Sequence, residues 1–513
     1  MALTIVAANA QEQKKPNVIY IMSDDHAVQA ISAYGHPVSA VAPTPNIDRI
    51  ANEGVLFNGS YCGNSISGPS RAAVITGKHS HANGFKTNSE GDFNGEQLTM
   101  PKVLQQNGYE TAIIGKWHLG GKPTGFDHWM ILNGQGQYFN PVFITDIDTT
   151  KHTGYATDLI TDYSIDWMEK QRKEEKPFFI MIHHKAPHRT WIPAPRHYYK
   201  FENTEFPVPE TLFDEYNTRT RAAHEQMMTI DKHMFLGYDL KLSDSIESTN
   251  WINDGIKPNF SNMTADEKKL YQAAYQKTND EFNENKPTGK DLVKWKYQRY
   301  MRDYCATITA VDENVGRILD YLEEADLDEN TIVMYTSDQG FYLGEHGWYD
   351  KRFMYEESMR MPLLMKFPKS IKPGKQTDAL VQNIDYAPTI LDFCGIEKPK
   401  EMHGVSFKQV VENGKPKTWR KSLYYRYYEY NKWIHYVMPH IGVKQERYKL
   451  IAFHSPKNEV FWELYDLKND PQEMNNIYGE KGTDKITRNL KSEMQSLANL
   501  YNDTLPECIT KEM

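Results

Sequence analysis

The chain has 513 residues, beyond the size at which a single hydrophobic core stops growing, so two domains or one large domain with an appendage are expected. Its 39% hydrophobic content is typical of a packed globular protein, and no apolar run approaches the ~20 residues of a membrane span. A net charge of −9 argues against nucleic-acid binding, although a local basic pocket could still bind an anionic substrate.

The N-terminus is typical of the end of a secretory signal. A short apolar stretch leads into the small-x-small pattern Ala8-Asn9-Ala10, and a polar run follows. Residues 1–10 are therefore interpreted as a signal-peptide remnant cleaved after Ala10, which predicts a periplasmic or secreted protein. The stretch is short and has no basic start, so the start of the signal is expected upstream; a frayed N-terminus is the alternative. The cysteines lack metal-binding spacing, and export would permit one or two disulfides among Cys62, Cys305, Cys394 and Cys508.

Four short apolar runs predict buried strands, each ending in polar residues. They are NVIYIM at 17–22, ETAIIG at 110–115, FFIMIH at 178–183 and TIVMYT at 331–336. Stretches with helical periodicity, such as 46–54 and 306–325, lie between them. This alternation indicates an α/β fold with a large, mainly parallel sheet between helices, where functional residues gather at the carboxyl ends of strands.

The last part of the chain has a different character. SLYYRYYEY, WIHYVMP, RYKLIAF and VFWELYDL are short aromatic-rich segments that predict a small antiparallel sheet, closed by a helix near 483–500. Residues 200–300 are more polar and are expected to form helices and long loops over one face. We therefore expect a catalytic α/β domain over 17–415 and an antiparallel-sheet subdomain over 416–513.

Carboxylates follow two of the predicted strands. Asp24 and Asp25 come directly after the first strand, and Asp338 with Gln339 follows TIVMYT. Three carboxylates and an amide oxygen form a set suited to a hard divalent cation such as calcium or magnesium. Helix capping or turn formation is the alternative for each aspartate.

Basic residues follow the strand ends as well. Lys116 and His118 come after ETAIIG, His188 after FFIMIH, and Lys351 with Arg352 soon after Asp338. Lysine, histidine and arginine converging beside a divalent cation would stabilise the charge of a sulfate or phosphate ester. Packing or surface roles remain the alternative for His183, His184 and Lys185.

Ser67 is the candidate nucleophile in the stretch YCGNSISGPSRAAVITGKH. Pro69 suits the first position of a helix that runs through Arg71, which places Ser67 near a helix N-terminus that attracts negative charge. The alternative is that Ser67 is only an N-cap, since no base adjoins it in sequence. The residues alone thus predict a metal-assisted site for an oxyanion ester, and leave sulfate and phosphate open.

Ser67-Gly68-Pro69-Ser70-Arg71, followed by Thr76-Gly77, resembles the signature of type I, formylglycine-dependent sulfatases. Companion motifs appear in family order: SDDH, GKWHLG, APH, SDQG, DKR and a late ELYDLKNDPQEMNN. The resemblance extends from Asn17 over nearly the whole chain and is loosest over 200–300. It implies an alkaline-phosphatase-like fold and sulfate-ester hydrolysis, with Cys62, Ser65 and Ser70 outside the covalent chemistry.

The resemblance implies a nucleophile and a metal site. Ser67 would be oxidised to formylglycine, whose hydrate supplies the attacking oxygen. One calcium ion would be held by Asp24, Asp25, Asp338, Gln339 and residue 67. Gln339 departs from the Asn or His that is frequent at this position in the family, and its side chain is one methylene longer than that of Asn.

The resemblance also implies roles for the basic residues. Arg71 and Lys116 would stabilise the formylglycine and the sulfate. His118 would take a proton from the remaining hydroxyl to release sulfate and regenerate the aldehyde. His188 and Lys351 would contact the leaving oxygen, with His188 as the general acid. A serine at the active position resembles bacterial enzymes matured by an anaerobic radical S-adenosylmethionine enzyme, which implies a periplasmic enzyme of a bacterium living without air.

The segment SDQGFYLGEHGWYDKRFMYEESMRMPLL resembles the N-acetylglucosamine-6-sulfatase branch of glycosaminoglycan sulfatases. The expected substrate is a sulfated oligosaccharide of heparan, heparin, mucin or keratan type, from which the enzyme would remove 6-O-sulfate at a chain end. The candidate sugar contacts are Arg352, His346, His440 and His454, with surface-loop roles as the alternative.

Three rival functions remain open. Another carbohydrate sulfatase, such as a uronate 2-O-sulfatase, would use the same mechanism. A phosphomonoesterase or phosphodiesterase of the same fold would usually carry two metals and several metal-binding histidines, whereas this chain offers a single oxygen-rich set. A glycan-binding protein that has lost catalysis is disfavoured because the whole set of candidate catalytic residues is present.

Overall fold

A computed structural model describes residues 14–242, 262–430 and 435–513. The signal-peptide remnant predicted over residues 1–10 lies outside the described residues. The strands are β1 Asn17–Ser23, β2 Val55–Phe57, β3 Ser60–Tyr61, β4 Glu110–Gly115, β5 His128–Leu132, β6 Val142–Ile144, β7 Thr149–Lys151, β8 Phe178–His184, β9 Thr331–Ser337, β10 Tyr342–Leu343, β11 Tyr349–Asp350, β12 Leu363–Lys366, β13 Lys375–Thr377, β14 Val381–Gln382, β15 Ser422–Tyr427, β16 His440–Gln445, β17 Tyr448–His454 and β18 Val460–Asp466.

The helices vary widely in length. The α-helices are α1 Pro37–Val41, α2 Pro45–Asn52, α3 Ser67–Thr76, α4 Ser80–Asn83, α5 Met100–Gln106, α6 Ala156–Asp166, α7 Arg221–Glu225, α8 Ile230–His233, α9 Ala265–Asn285, α10 Gly289–Glu324, α11 Glu356–Met359, α12 Tyr386–Phe393, α13 Lys408–Asn413, α14 Asp484–Leu500 and α15 Glu507–Thr510. Among the described residues, none of the helices combines the length and apolar character needed to cross a lipid bilayer.

The main sheet has ten strands in the order β13-β2-β12-β9-β1-β8-β4-β5-β6-β7. Its five central strands, from β9 to β5, run parallel, and the flanking β12 and β6 pair antiparallel with them. Every residue of β1, β8 and β9 is buried, because helices cover both faces of the sheet. The α3, α5 and α12 side chains pack on one face, and those of α2, α6 and α10 pack on the other.

A second sheet of four antiparallel strands follows in the order β15-β16-β17-β18. One face packs against α14 through Leu490 and Met494. The other face shares a core with the main domain, where Tyr425 and Phe453 join Trp348 and Phe353. The C-terminal sheet is therefore fused to the larger domain by a continuous apolar core.

The fold class and most predicted elements are confirmed. The four predicted buried strands are β1, β4, β8 and β9, and the predicted helices over 46–54 and 483–500 are α2 and α14. The stretch 306–325 is the end of the 36-residue helix α10. The boundary at residue 415 stays a prediction. All four cysteines are unpaired, three of them buried, so the disulfides that export would permit do not form in this structure.

One predicted strand is wrong. WIHYVMP was expected to be a strand, yet its described part, residues 435–439, forms none, and the strand is the next segment, HIGVKQ. Glycine is uncommon inside strands, so Gly442 made HIGVKQ difficult to recognise as a strand from sequence. A Cβ at Gly442 would lie 2.2 Å from Met354 Sδ and 2.7 Å from the Leu450 carbonyl oxygen, so only glycine fits there.

Candidate active site

The site is built where two adjacent parallel strands end. Ser23 of β1 is in register with Ser337 of β9, so the residues that follow, Asp24 and Asp338, emerge side by side. Asp25 adopts a left-handed backbone conformation, with φ 66°, and its N–H donates to Asp338 Oδ1 at 3.1 Å. Two segments more than 300 residues apart in sequence therefore form one cluster at the carboxyl edge of the sheet.

The three aspartates form an acidic cluster that could hold a metal ion. One oxygen from each of Asp24, Asp25 and Asp338 lies within 4.8 Å of the others. Gln339 Nε2 donates to Asp25 Oδ1 at 2.5 Å, while Gln339 Oε1 is buried without a hydrogen-bond partner. Three buried carboxylates in contact with one carboxamide fit a hard divalent cation, and the arrangement favours metal binding over helix capping.

Three buried cations surround the carboxylates. Lys116 Nζ donates to Asp24, Lys351 Nζ donates to Asp25 Oδ1 at 2.5 Å, and the Arg71 guanidinium lies 3.2 Å from Asp338 Oδ2. All three basic residues are less than 5% exposed. These pairs reduce the cost of burying charge, which would be severe for any one of the groups alone.

The pKa values of the aspartates in the cluster are strongly shifted. Burial raises the pKa of Asp25 to about 7; Lys351 opposes this, while Asp24 and Asp338 reinforce it. Burial would also raise the pKa of Asp24, but Lys116, His188 and Arg71 outweigh it and hold that pKa well below its ordinary value. The aspartates thus repel one another even though they also pair with basic side chains. A bound metal cation would relieve this repulsion.

Ser67 lies at the start of α3. Ile66 is the N-cap, so the helix begins two residues before Pro69, and the alternative that Ser67 is only an N-cap is wrong. Its hydroxyl donates to Asp24 Oδ1 at 3.2 Å, and it is 1% exposed. Ser67 therefore sits at a positive helix end and touches the acidic cluster.

The other polar residues of this stretch serve the structure. Burial raises the pKa of the Cys62 thiol to about 12, and its sulfur lies 3.1 Å from Ser65 Oγ. Ser65 donates to the Ser358 carbonyl at 2.5 Å, and Ser70 donates to the Asp338 carbonyl. These contacts leave Ser67 as the member of the group that faces the carboxylates.

Two histidines stand near the cluster. His188 Nε2 lies 3.9 Å from Asp25 Oδ2, and its Nδ1 donates to the Arg189 carbonyl at 2.7 Å. His118 Nε2 accepts from Gln135 Nε2 at 2.8 Å. Burial and the nearby Lys116 lower the pKa of both imidazoles well below 6.5, so both are neutral at neutral pH.

A cavity of about 160 Å³ opens beside Ser67. Asp25, His188 and Lys351 line it near the acidic cluster, and Asp350 and Arg352 line it farther out.

The outer wall of the cavity is a charged network. The Arg352 guanidinium donates to Asp350 Oδ2 at 3.1 Å and to Glu429 Oε1 at 2.9 Å, and His435 Nδ1 lies 2.8 Å from Asp350 Oδ2. The pocket thus places the Lys351 ammonium and the acidic cluster next to a wall of hydrogen-bonding groups.

Comparison with known proteins identifies the family. The family profile described as "Sulfatase" matches residues 16–396, about three quarters of the chain. The chain belongs to the sulfatase family. A second profile, "N-sulphoglucosamine sulphohydrolase, C-terminal", matches residues 344–500.

The sulfatase resembles proteins with glycan substrates. It is 49% identical to an N-acetylglucosamine-6-O-sulfatase of Bacteroides thetaiotaomicron over 502 residues, which covers 97% of this chain and 88% of the relative. A structure solved in complex with its substrate D-glucosamine-2-N,6-O-disulfate matches with a TM-score of 0.92 and 48% identity, over 96% of this chain and 99% of that one. A Δ4,5-hexuronate-2-O-sulfatase of the same bacterium is 26% identical over 95% of this chain and 89% of the relative.

Two sugar contacts expected from sequence are corrected by the structure. His346 and His440 are both 0% exposed and do not line the cavity. His346 Nδ1 lies 3.1 Å from Asp214 Oδ2, and His440 packs between the rings of Tyr425 and Phe453. His454, at the end of β17, does not line the cavity either, whereas Arg352 does.

The sulfatase site also contains residues that the sequence analysis missed. Gln135, Asn88 and His435 line the cavity, and the Gly68 N–H donates to Asn88 Oδ1 at 3.0 Å. Gln135 follows β5, whose carboxyl end lies at the same edge of the sheet. Recognition of HWMIL as a strand would have pointed to Gln135, but no comparable local signal marks Asn88 or His435.

Proposed function

We propose that this sulfatase removes the 6-O-sulfate from a terminal N-acetylglucosamine or glucosamine of a sulfated glycan. The observation that carries this proposal is the 49% identity, over 97% of the chain, to an N-acetylglucosamine-6-O-sulfatase. The similar structure in complex with a 6-O-sulfated glucosamine supports the same substrate class. A small cavity with a closed charged wall suits the end of a glycan chain better than its middle.

The metal in this proposal is one calcium ion, held by Asp24, Asp25, Asp338, Gln339 and residue 67. When bound, the ion would neutralise the acidic cluster and draw negative charge from the sulfate group. The donors are all oxygens and Gln339 Oε1 is unpaired, which supports a hard cation. The carboxamide of Gln339, one methylene longer than that of an Asn, contacts the cluster at Asp25 Oδ1.

Ser67 is proposed to be oxidised to formylglycine by an anaerobic radical S-adenosylmethionine enzyme. A hydrated aldehyde at this position would supply a far better oxygen nucleophile than the serine hydroxyl. The N-terminus of α3 and the nearby Lys116 would stabilise negative charge on that oxygen. The buried position of Ser67 would also protect the aldehyde from other nucleophiles.

The surrounding side chains would bind the sulfate and move protons. Lys116 and Lys351 bring ammonium groups to the two ends of the acidic cluster, and Arg71 holds Asp24 and Asp338 in place. His188 donates through Nδ1, so Nε2 is the atom that would take up a proton and pass it to the leaving oxygen. The charge of an arriving sulfate ester would favour that protonation. His118 would take a proton near residue 67.

The sugar would be recognised by the outer wall of the cavity. Arg352 and Asp350 form a paired donor and acceptor that could hydrogen-bond ring hydroxyls without leaving an unpaired charge. Asp350 keeps its carboxylate ionised, because His435 and Arg352 outweigh burial and hold its pKa well below the ordinary value. His454 would contact only the outer sugars of longer glycans.

We propose that the enzyme acts in the periplasm or outside the cell. The apolar stretch and the Ala8-Asn9-Ala10 pattern support export. N-terminal sequencing of the protein from its host should find residues 1–10 removed; an intact N-terminus would contradict this location.

The test of function is sulfate release by matured protein. The panel holds 6-sulfated N-acetylglucosamine, 6-sulfated N-acetylgalactosamine, 2-sulfated unsaturated uronides and an aryl phosphate, with Ser67→Ala as the control. Mass spectrometry of the peptide with residue 67 should find it two hydrogen atoms lighter than its sequence predicts. Release from the glucosamine sugar alone supports the proposal. Release only from the uronides would favour the 2-O-sulfatase alternative, for which a relative at 26% identity exists.

A further inference from the structure

A short loop with two glycines places Gln135 at the active-site cavity. It follows β5 between Gly134 and Gly136, which both have left-handed backbone conformations with φ 57° and 69°. A Cβ at Gly136 would lie 2.7 Å from Leu132 Cδ1, so the loop needs glycine there. The resulting turn directs Gln135 to the cavity, which it lines together with Ser67 and Lys351.

The carboxamide of Gln135 joins two residues of the sulfate site. Its Oε1 accepts from Lys116 Nζ at 2.6 Å, and its Nε2 lies 2.8 Å from His118 Nε2. An ammonium group has only donors, so the oxygen of the carboxamide must face Lys116 and the NH₂ must face His118. His118 Nε2 therefore accepts this hydrogen bond, and the ring proton is on Nδ1.

We propose that Gln135 is a positioning residue for sulfate-ester hydrolysis. It holds the Lys116 ammonium through Oε1 and orients the His118 ring by donating from its Nε2 to the lone pair of His118 Nε2. A sulfate oxygen carries negative charge, so arriving substrate accepts the Gln135 N–H in a charge-assisted hydrogen bond and leaves His118 Nε2 free for a proton. The inference rests on the roles proposed above for Lys116 and His118.

The surroundings of Gln135 do not suggest a role in folding. Gln135 is exposed to solvent, and its side chain hydrogen-bonds to two site residues, Lys116 and His118. Lys116 already has Asp24 as its ion-pair partner, so Gln135 is not needed to neutralise that charge. Its contacts instead select one tautomer of a neutral histidine, a property that matters for proton transfer.

Two substitutions separate the two contacts. Gln135→Glu keeps an acceptor for Lys116 but cannot donate to His118, while Gln135→Met removes both hydrogen bonds at similar volume. Gln137→Met, two residues on in the same loop and outside the cavity lining, is the matched control. Each protein is matured, and its formylglycine content at residue 67 is measured before kinetics on 6-sulfated N-acetylglucosamine.

The expected result is a fall in kcat of about 10–100-fold for both Gln135 variants, with Gln137→Met close to wild type. In ¹⁵N-histidine NMR spectra without substrate, His118 Nε2 should be of the unprotonated type in wild type and Gln137→Met. In Gln135→Glu it should become the N–H type, because a carboxylate accepts from it.

Unchanged kcat in both Gln135 variants, or an unchanged Nε2 resonance in Gln135→Glu, would overturn the inference. If wild type releases no sulfate from this sugar, the substrate proposal fails, yet the NMR comparison still decides the role of Gln135.

Discussion

The acidic cluster allows a quantitative prediction of how pH and a bound metal change the stability of the protein. In the metal-free protein the pKa of Asp25 is raised from its ordinary 3.8 to about 7. The folded state then holds a proton that the unfolded chain releases, so the contribution of Asp25 to stability is fully present below about pH 4 and is lost as the pH rises to about 7. A difference of about 3 in pKa, at ~1.4 kcal/mol for each pKa unit, corresponds to roughly 4 kcal/mol.

Asp25→Asn removes this titration and keeps the shape of the side chain. With an unfolding entropy of about 2.1 cal/mol/K per residue, roughly 4 kcal/mol shifts the Tm of a 513-residue protein by about 4 °C. Treated with a chelator, Asp25→Asn should melt within about 1 °C of wild type near pH 4.5 and about 4 °C higher at pH 7.5. Added calcium should reverse the order, because it stabilises only the protein that retains all three carboxylates.

Thermal unfolding by differential scanning fluorimetry, with and without chelator from pH 4.5 to 7.5, measures this difference. Other raised carboxyls, such as Glu345 with a pKa of about 7, contribute the same slope to both proteins and cancel in the comparison. Parallel Tm curves for the two chelated proteins would refute the reasoning that burial and the neighbouring carboxylates raise the pKa of Asp25.

Four further predictions concern single residues. Lys116→Met should lower kcat/KM at least ~100-fold in a sulfate-release assay, because a buried cation on Asp24 is lost; activity near wild type would remove Lys116 from the site. Cys62→Ala should keep full activity, since its buried thiol has a raised pKa; inactivity of a folded, matured variant would implicate Cys62 in the chemistry. His440→Phe should leave kcat/KM unchanged because the ring packs among aromatic side chains, and a rise in KM alone would restore it as a sugar contact. Gly115→Ala should destabilise by roughly 3 kcal/mol or more in denaturant unfolding, since its Cβ would lie 2.0 Å from the His183 carbonyl oxygen, whereas Gly91→Ala, with no atom within 4 Å, should cost about 1 kcal/mol.

The sequence predicted the strand ends that carry the chemistry because the signal there is local. Apolar runs of six residues mark the buried strands, and polar residues directly after them must lie at the carboxyl edge of a parallel sheet. Asp24, Lys116 and Asp338 follow this rule, and His188 comes four residues after the end of β8, so their convergence was predictable without coordinates. Ser67 was predictable through the signature that contains it.

By itself, the sequence determined the fold class, the family and the acidic and basic residues at the strand ends. Only the tertiary structure decided which side chains face the cavity. The sequence suggested His346 and His440 as sugar contacts, but both side chains are buried in the protein interior. Gln135 and Asp350 instead reach the cavity from segments with left-handed backbone conformations. The reason is physical: strand periodicity and strand ends are local properties, but the direction of a loop side chain depends on contacts with segments hundreds of residues away.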